Sequence, residues 1–175
     1  MAPVILPGDC ILIDSYGFAA DGIEWIKNSK IYHIAIYVGD AMVIEATETG
    51  VKKNPISKYN NCKFNWMVRR VKGITIEQTQ KLIDTVISYI DKDNSFIQSI
   101  ALGIFFLIKK ITKKKVYQII GQSEQDLMKC SELYCKGCIS AGVDLFPDIN
   151  VRDVTPEMLC STDKMSTIRT MSAGE

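Results

Sequence analysis

The stretch "IYHIAIYVGDAMVIEAT", residues 31–47, decides the fold. Residues 32–38 are mostly β-branched or aromatic, and they stop at Gly39-Asp40. A second such run, "AMVIEATE", follows over 41–48. Two extended runs joined by a Gly-Asp turn predict an antiparallel hairpin. With the hairpin centred on Asp40, His33 faces position 47, and Glu45 becomes its diagonal neighbour on the same face. A slip of one residue would carry Glu45 to the other face. His33 is the only histidine in the chain. It is therefore either a packed core residue or one half of a catalytic pair.

Working outward, "LPGDCILIDS" turns at Pro-Gly-Asp and enters a short strand near residue 10. "DGIEWIKNSK" (21–30) predicts a short helix. The segment after Gly50 contains Pro55, which confines any strand there to a short or edge position. "CKFNWMVRRV" (62–71) alternates as a strand with one better-buried face. Beyond Gly73 the period lengthens. Thr75 and Gln78 have the spacing of a capping box, and Leu82, Ile83, Val86, Ile87 and Ile90 form a helical stripe. A second helix is expected from Asn94 or Ser95 through an apolar run to "KKITKKK" (109–115). A third is expected from Cys130 to Gly142, a suitable residue just beyond a helix end. The tail from about 162 is polar and is expected to be partly disordered. Strands first and helices afterwards predict an α+β chain with mostly antiparallel pairing.

The 175 residues suit a single domain, and 47% hydrophobic content can fill a core. Charge is nearly balanced, with a formal net of +1, so no nucleic-acid partner is expected. "MAPVILPGDCILIDSYG" has no basic n-region and no small-residue cleavage site. A cytoplasmic location and reduced thiols are expected. "FIQSIALGIFFLI" (96–108) is shorter than a membrane span and includes Gln98 and Ser99. With its lysines it could instead make a weak contact with an anionic membrane through 96–115.

The best partner for His33 lies in "MKCSELYCKGC" (128–138). Cys130 opens the third helix, where unpaired backbone N–H groups and the helix dipole favour a thiolate. Cys130, Tyr134, Gly137, Cys138 and Ala141 would share one face of that helix. The small Gly137 and Ala141 would let it approach the sheet closely. Glu45 is the candidate third group, orienting the imidazole. Each residue also has a plainer reading: His33 or Cys130 as core, Glu45 as a solvent-facing strand residue. The "CKGC" pair (135–138) lacks the second pair or histidines that structural zinc requires. It also lies inside a helix rather than at the helix start that redox CxxC motifs use.

Taken together, "LPGDCILI", "HIAIYVGDAMVIEAT", "GVKKNPISKY", "CSELYCKGCISAGVDL" and "VTPEMLCSTD" resemble the circularly permuted papain-like amidases and peptidases. This is the YiiX/YaeF type of the NlpC-like superfamily, which also has poxviral relatives. The resemblance runs from about 6 to 160 and is poor across 92–120, which it marks as a divergent helical insert with a basic end. It implies an α+β papain-like fold, with a small antiparallel sheet or barrel packed against the cysteine helix. It places Cys130 on the nucleophile, His33 on the general base and Glu45 on the polar third position. Asp9 falls on the Gly-Asp pair, taken as structural.

The expected activity is a thiol hydrolase cleaving a peptide or peptidoglycan-like amide through a Cys-His-Glu triad, with no cofactor or metal. Two alternatives stand beside it: a lipid-directed thiol esterase or acyltransferase at a membrane surface, and a non-catalytic binding module on the same fold. Substrate identity and oligomeric state are not encoded in any motif of the chain.

Overall fold

The computed structural model describes residues 4–14, 31–47, 50–59, 65–90 and 129–171. The helix expected at 21–30 and the insert at 92–120, with its basic segment, lie outside these residues. Six strands form one antiparallel sheet: β1 (Cys10–Asp14), β2 (Ile31–Gly39), β3 (Met42–Thr47), β4 (Gly50–Pro55), β5 (Asn65–Val71) and β6 (Met165–Met171). Their spatial order is β4-β3-β2-β1-β5-β6. Among the described residues three helices accompany them: α1 (Ile76–Ile87), α2 (Cys130–Ser140) and the short α3 (Pro156–Ser161). The chain is thus α+β with antiparallel pairing, as the order of its elements predicts.

The central hairpin turns at Asp40 and Ala41, both in the left-handed region (φ 52° and 56°). Two such residues between the strands are what a hairpin turn of matching twist demands. The β2–β3 ladder pairs Tyr37 with Val43 and Ile36 with Ile44, the register centred on residue 40. β4 lies at the sheet edge and ends at Pro55, where a missing N–H costs no ladder bond.

Both faces of the sheet are covered. Cys10, Leu12, Ile34, Ile36, Ile44 and Met67 pack with the helices. Ile11, Ile13, Ala35, Val43 and Val68 form a second cluster on the opposite face with Tyr59. β5 therefore departs from its one-sided reading: Met67 and Val68 are both buried, on opposite faces. Within the polar tail, residues 165–171 form β6, paired along β5 from Val71↔Met165 to Trp66↔Met171. Its polar residues suit an edge strand, where Arg169 sits over the Trp66 ring.

The helix ends are locally encoded. Thr75 accepts from Gln78 N, and the Gln78 side chain accepts from Thr75 N, closing the capping box of α1. α2 stops at Gly142 (φ 76°), where Gly142 N donates to Ile139 O and Val143 N to Cys138 O. This is a Schellman ending, which favours glycine because a Cβ penalises positive φ. Gly137 serves a different neighbour from the one expected. An added Cβ would lie 3.0 Å from Val86 Cγ1 and 3.1 Å from Leu82 Cγ, so its smallness lets α2 approach α1 rather than the sheet. α2 is also buried on more than the one expected face, since Ser131, Glu132, Leu133 and Cys135 are buried as well.

Candidate active site

The site forms where the β2–β3 hairpin meets the start of α2. His33 Nε2 lies 2.6 Å from Glu45 Oε2, and Glu45 is only 1% exposed. The diagonal contact expected from the hairpin register is present. Next to it, the β1–β2 ladder runs Ile13↔His33 and then slips before Asp14. Such irregularities re-aim side chains at sheet ends.

Cys130 is the first residue of α2 and is partly exposed. Lys129 precedes it in extended conformation, and its side chain makes no capping bond. Helix-initial N–H groups, Cys130's own among them, have no partner within the helix and can serve an anion. Ser131 anchors this helix end by donating to Val154 O, in the loop before α3. That loop leads into Thr155, whose side chain caps α3 with Pro156 following. Across the interior, the Tyr134 hydroxyl donates to Gly8 O at 3.2 Å and ties α2 to the first turn.

The imidazole is held between two partners. Burial disfavours its charge, but a hydrogen bond with Cys130 and one with Glu45 outweigh that, and His33 is raised from 6.5 to about 9. The structure thus brings together all three predicted residues: Cys130, His33 and Glu45.

Sequence reasoning missed the surroundings of Glu45. Its Oε1 accepts from Asn54 Nδ2 (2.7 Å) and Lys58 Nζ (2.8 Å), and its Oε2 accepts from the Tyr59 hydroxyl. Burial alone would raise this carboxyl. Hydrogen bonds from His33, Lys58, Tyr59 and Asn54 instead lower it from 4.5 to about 2. The three extra donors sit in "NPISKY", on β4 and the 3-10 turn at Ile56–Tyr59. The only available signal was the fixed ladder, in which Asn54 pairs with Val43 and so lands diagonally from Glu45.

Asp9 stands apart from this chemistry. It is 1% exposed and holds Arg70 through Nε–Oδ1 (2.6 Å) and Nη2–Oδ2 (2.7 Å), while Leu6 N donates to Oδ2. Its backbone carbonyl accepts from Tyr37 N. It clamps the first turn to β5, the structural part expected of it. The other described thiols are buried: Cys10, Cys135, Cys138 and Cys160. Burial pushes Cys135 up to about 12 and raises Cys10, Cys138 and Cys160 as well. Among the described residues no group of three or more His, Cys, Asp or Glu side chains could hold a metal ion. None of the described helices is long and apolar enough to cross a membrane.

An antiparallel sheet carrying an imidazole–carboxylate pair, with a cysteine at the start of a helix beside it, is the arrangement of papain-like thiol enzymes. The family model described as "Permuted papain-like amidase enzyme, YaeF/YiiX, C92 family" matches residues 5–101, more than half of the chain. The chain belongs to this family, one of cysteine peptidase- and amidase-like hydrolases. The matched span contains His33 and Glu45 and ends before Cys130. The chain is also 35% identical over 77 residues to a protein of Escherichia coli (strain K12) named "Probable lipoprotein peptidase YaeF". That match covers 44% of this chain and 28% of the relative, so the chain spans well under two thirds of the relative's length. No solved structure matches the chain.

Proposed function

We propose that this chain hydrolyses an amide bond, peptide or peptidoglycan-like, with Cys130 as nucleophile, His33 as base and acid, and Glu45 as the orienting group. One observation carries the reading: His33 Nε2 lies 2.6 Å from the buried Glu45 carboxylate, and Cys130 is close enough to help raise the imidazole's proton affinity. The Cys130 thiolate attacks the carbonyl carbon, and the backbone N–H of Cys130 donates to the developing oxyanion. His33 delivers a proton to the departing amine, leaving a thioester. A water molecule then gives its proton to His33 and attacks the thioester carbon. Collapse returns the carboxylic acid and the thiolate. Glu45 keeps the ring oriented and the Nε2 proton in place throughout.

The lipid-directed alternative and the weak contact with an anionic membrane both draw on 96–115, outside the described residues. Ester and amide substrates are therefore compared directly in the test. Fluorogenic acyl-amide and acyl-ester panels are incubated with the wild type and with Cys130→Ala, and the intact mass is followed. Turnover of amides by the wild type alone, with an acyl adduct on Cys130, supports the reading. Exclusive turnover of long-chain esters favours the lipid version. No turnover and no adduct in either panel supports a binding module instead.

A further inference from the structure

We propose that Lys58 and Tyr59 are positioning residues that each take part of the Glu45 charge, weakening its hold on the His33 imidazolium so that the ring can release its proton to a leaving group. The inference rests on the Cys130–His33 reading of the site.

A carboxylate offers about four lone-pair sites. At Glu45 four side chains use them. Oε2 is shared by His33 Nε2 and the Tyr59 hydroxyl, and Oε1 by Lys58 Nζ and Asn54 Nδ2. A buried carboxylate given wholly to an imidazolium would hold it tightly, because low-dielectric surroundings strengthen the pair. Such an imidazolium is a poor general acid, since proton donation is most efficient when the donor's affinity lies near the working pH. Dividing the carboxylate among several donors reduces what His33 receives. Lys58 adds a second effect, because its positive charge sits on the same carboxylate that holds the imidazolium. Its ammonium is also held 5.3 Å from the Tyr59 ring centroid, so the two residues act from one short turn.

Among the described residues, the groups that face the pair come from several elements. α2 contributes Cys130 and β3 contributes Glu45. The 3-10 turn contributes Lys58 and Tyr59, and β4 contributes Asn54 with Lys52 directly across the ladder from Glu45. β1 presents the apolar Ile13 opposite His33. The Tyr59 ring itself lies 6.4 Å from the imidazole, centroid to centroid.

His33 is the only histidine, so its imidazole resonance needs no assignment in a ¹³C-labelled full-length sample. Its titration is followed by NMR in the wild type, Lys58→Met, Lys58→Arg and Tyr59→Phe, each at low and high salt. Lys58→Met and Tyr59→Phe should each raise the His33 midpoint by about 0.5 pH, whereas Lys58→Arg, which keeps charge and donor, should restore the wild-type value. High salt should shrink the Lys58→Met effect, because Lys58 is 47% exposed and is screened. It should leave the effect of removing the neutral Tyr59 hydroxyl intact. A purely structural cage would lower the melting temperature while leaving the midpoint unchanged or lowered, and that result overturns the proposal. If Tyr59→Phe does not fold, the exposed Lys58→Met decides alone. Failure of the hydrolase reading is separate: Cys130 would accept no acyl group while the midpoints still moved.

Discussion

Glu45 Oε2 meets His33 Nε2 at 2.6 Å across the β2–β3 hairpin, a diagonal contact that only one register of the two strands permits. Because the carboxylate orients the ring and the amide of glutamine can still accept through its oxygen, Glu45→Gln should keep more activity than Glu45→Ala. Expected losses in kcat/KM are about 10-fold for Gln and about 100-fold or more for Ala. Glu45→Ala also leaves Asn54 and Tyr59 without their acceptor, which should cost about 1–3 kcal/mol of stability. Steady-state kinetics beside calorimetry separates the two losses. Wild-type turnover in both variants would remove Glu45 from the site.

Cys130 should be the reactive thiol. It is partly exposed and electrostatically coupled to His33, whereas Cys10, Cys135, Cys138 and Cys160 are buried with their thiols pushed up. Iodoacetamide at about pH 6 should alkylate Cys130 at least about 10-fold faster than those four, because an ordinary thiol is almost wholly protonated there. His33→Ala should slow that alkylation and leave a residue due to the helix start. Peptide mapping by mass spectrometry across pH 5–9 measures both. Equal labelling of all thiols, unchanged by His33→Ala, would make His33 a core histidine.

The acid and base of this site should shape stability from opposite ends of the pH scale. His33 is raised from 6.5 to about 9, so its contribution is full below 6.5 and is lost as pH rises through about 9. Glu45 is lowered from 4.5 to about 2, so its contribution is full above 4.5 and is lost as pH falls through about 2. The pair therefore stabilises most between 4.5 and 6.5. The melting temperature should decline above that window in the wild type, and His33→Gln should decline less over the same range. Activity should fall above about pH 9, where the imidazole no longer carries the proton for the leaving group. Calorimetry from pH 3 to 10 on both proteins tests the stability part. An alkaline decline of equal size in the variant would count against it.

Asp9→Ala should destabilise without disabling the site. Asp9 is buried and paired with Arg70, which is 27% exposed and can regain water. The cost should be about 3 kcal/mol, the lower end for breaking a buried pair. Alkylation of Cys130 at pH 6 should keep its wild-type rate in protein that is still folded. In a double-mutant cycle, Arg70→Ala should cost much less in the Asp9→Ala background. Loss of Cys130 reactivity in folded Asp9→Ala would assign Asp9 to the chemistry instead.

Gly137→Ala sets two effects against each other. Alanine gains about 1 kcal/mol in helix propensity, but its Cβ would press on Val86 Cγ1 and, at 3.3 Å, on the Leu82 carbonyl. Overpacking costs about 1–3 kcal/mol, so net destabilisation of up to about 2 kcal/mol is expected. Leu82→Ala in the same background should relieve part of the clash. Chemical denaturation of the wild type and the two variants reads the balance, and stabilisation by Gly137→Ala would show that α1 and α2 can move apart freely.

The residues that were legible in sequence are those whose partners lie within one turn or one hairpin. Thr75 with Gln78, Gly142 at the end of α2, and His33 beside Glu45 follow from periods of 3.6 and 2 and from turn chemistry. These contacts span a few residues, so local backbone geometry alone specifies them. The donors around Glu45 were not legible, because "NPISKY" by itself reads only as a turn. It reaches the carboxylate through the β3–β4 ladder and through Ile56 N donating to Ala41 O, which folds the 3-10 turn back onto the hairpin. β6 was missed because its alternation is largely polar, and its pairing with β5 is made by residues about 100 positions away. The same holds for Gly137. Its small size announced a close approach but not whether sheet or helix would make it, since that depends on how α1 and α2 dock. Sequence by itself determined the strands β1, β2, β3 and β5, the ends of α1 and α2, and the acid–imidazole pair. Only the tertiary structure sets Cys130 within electrostatic reach of His33 and surrounds the carboxylate with three further donors, because contacts between distant elements depend on which faces pack, and no local period encodes that choice.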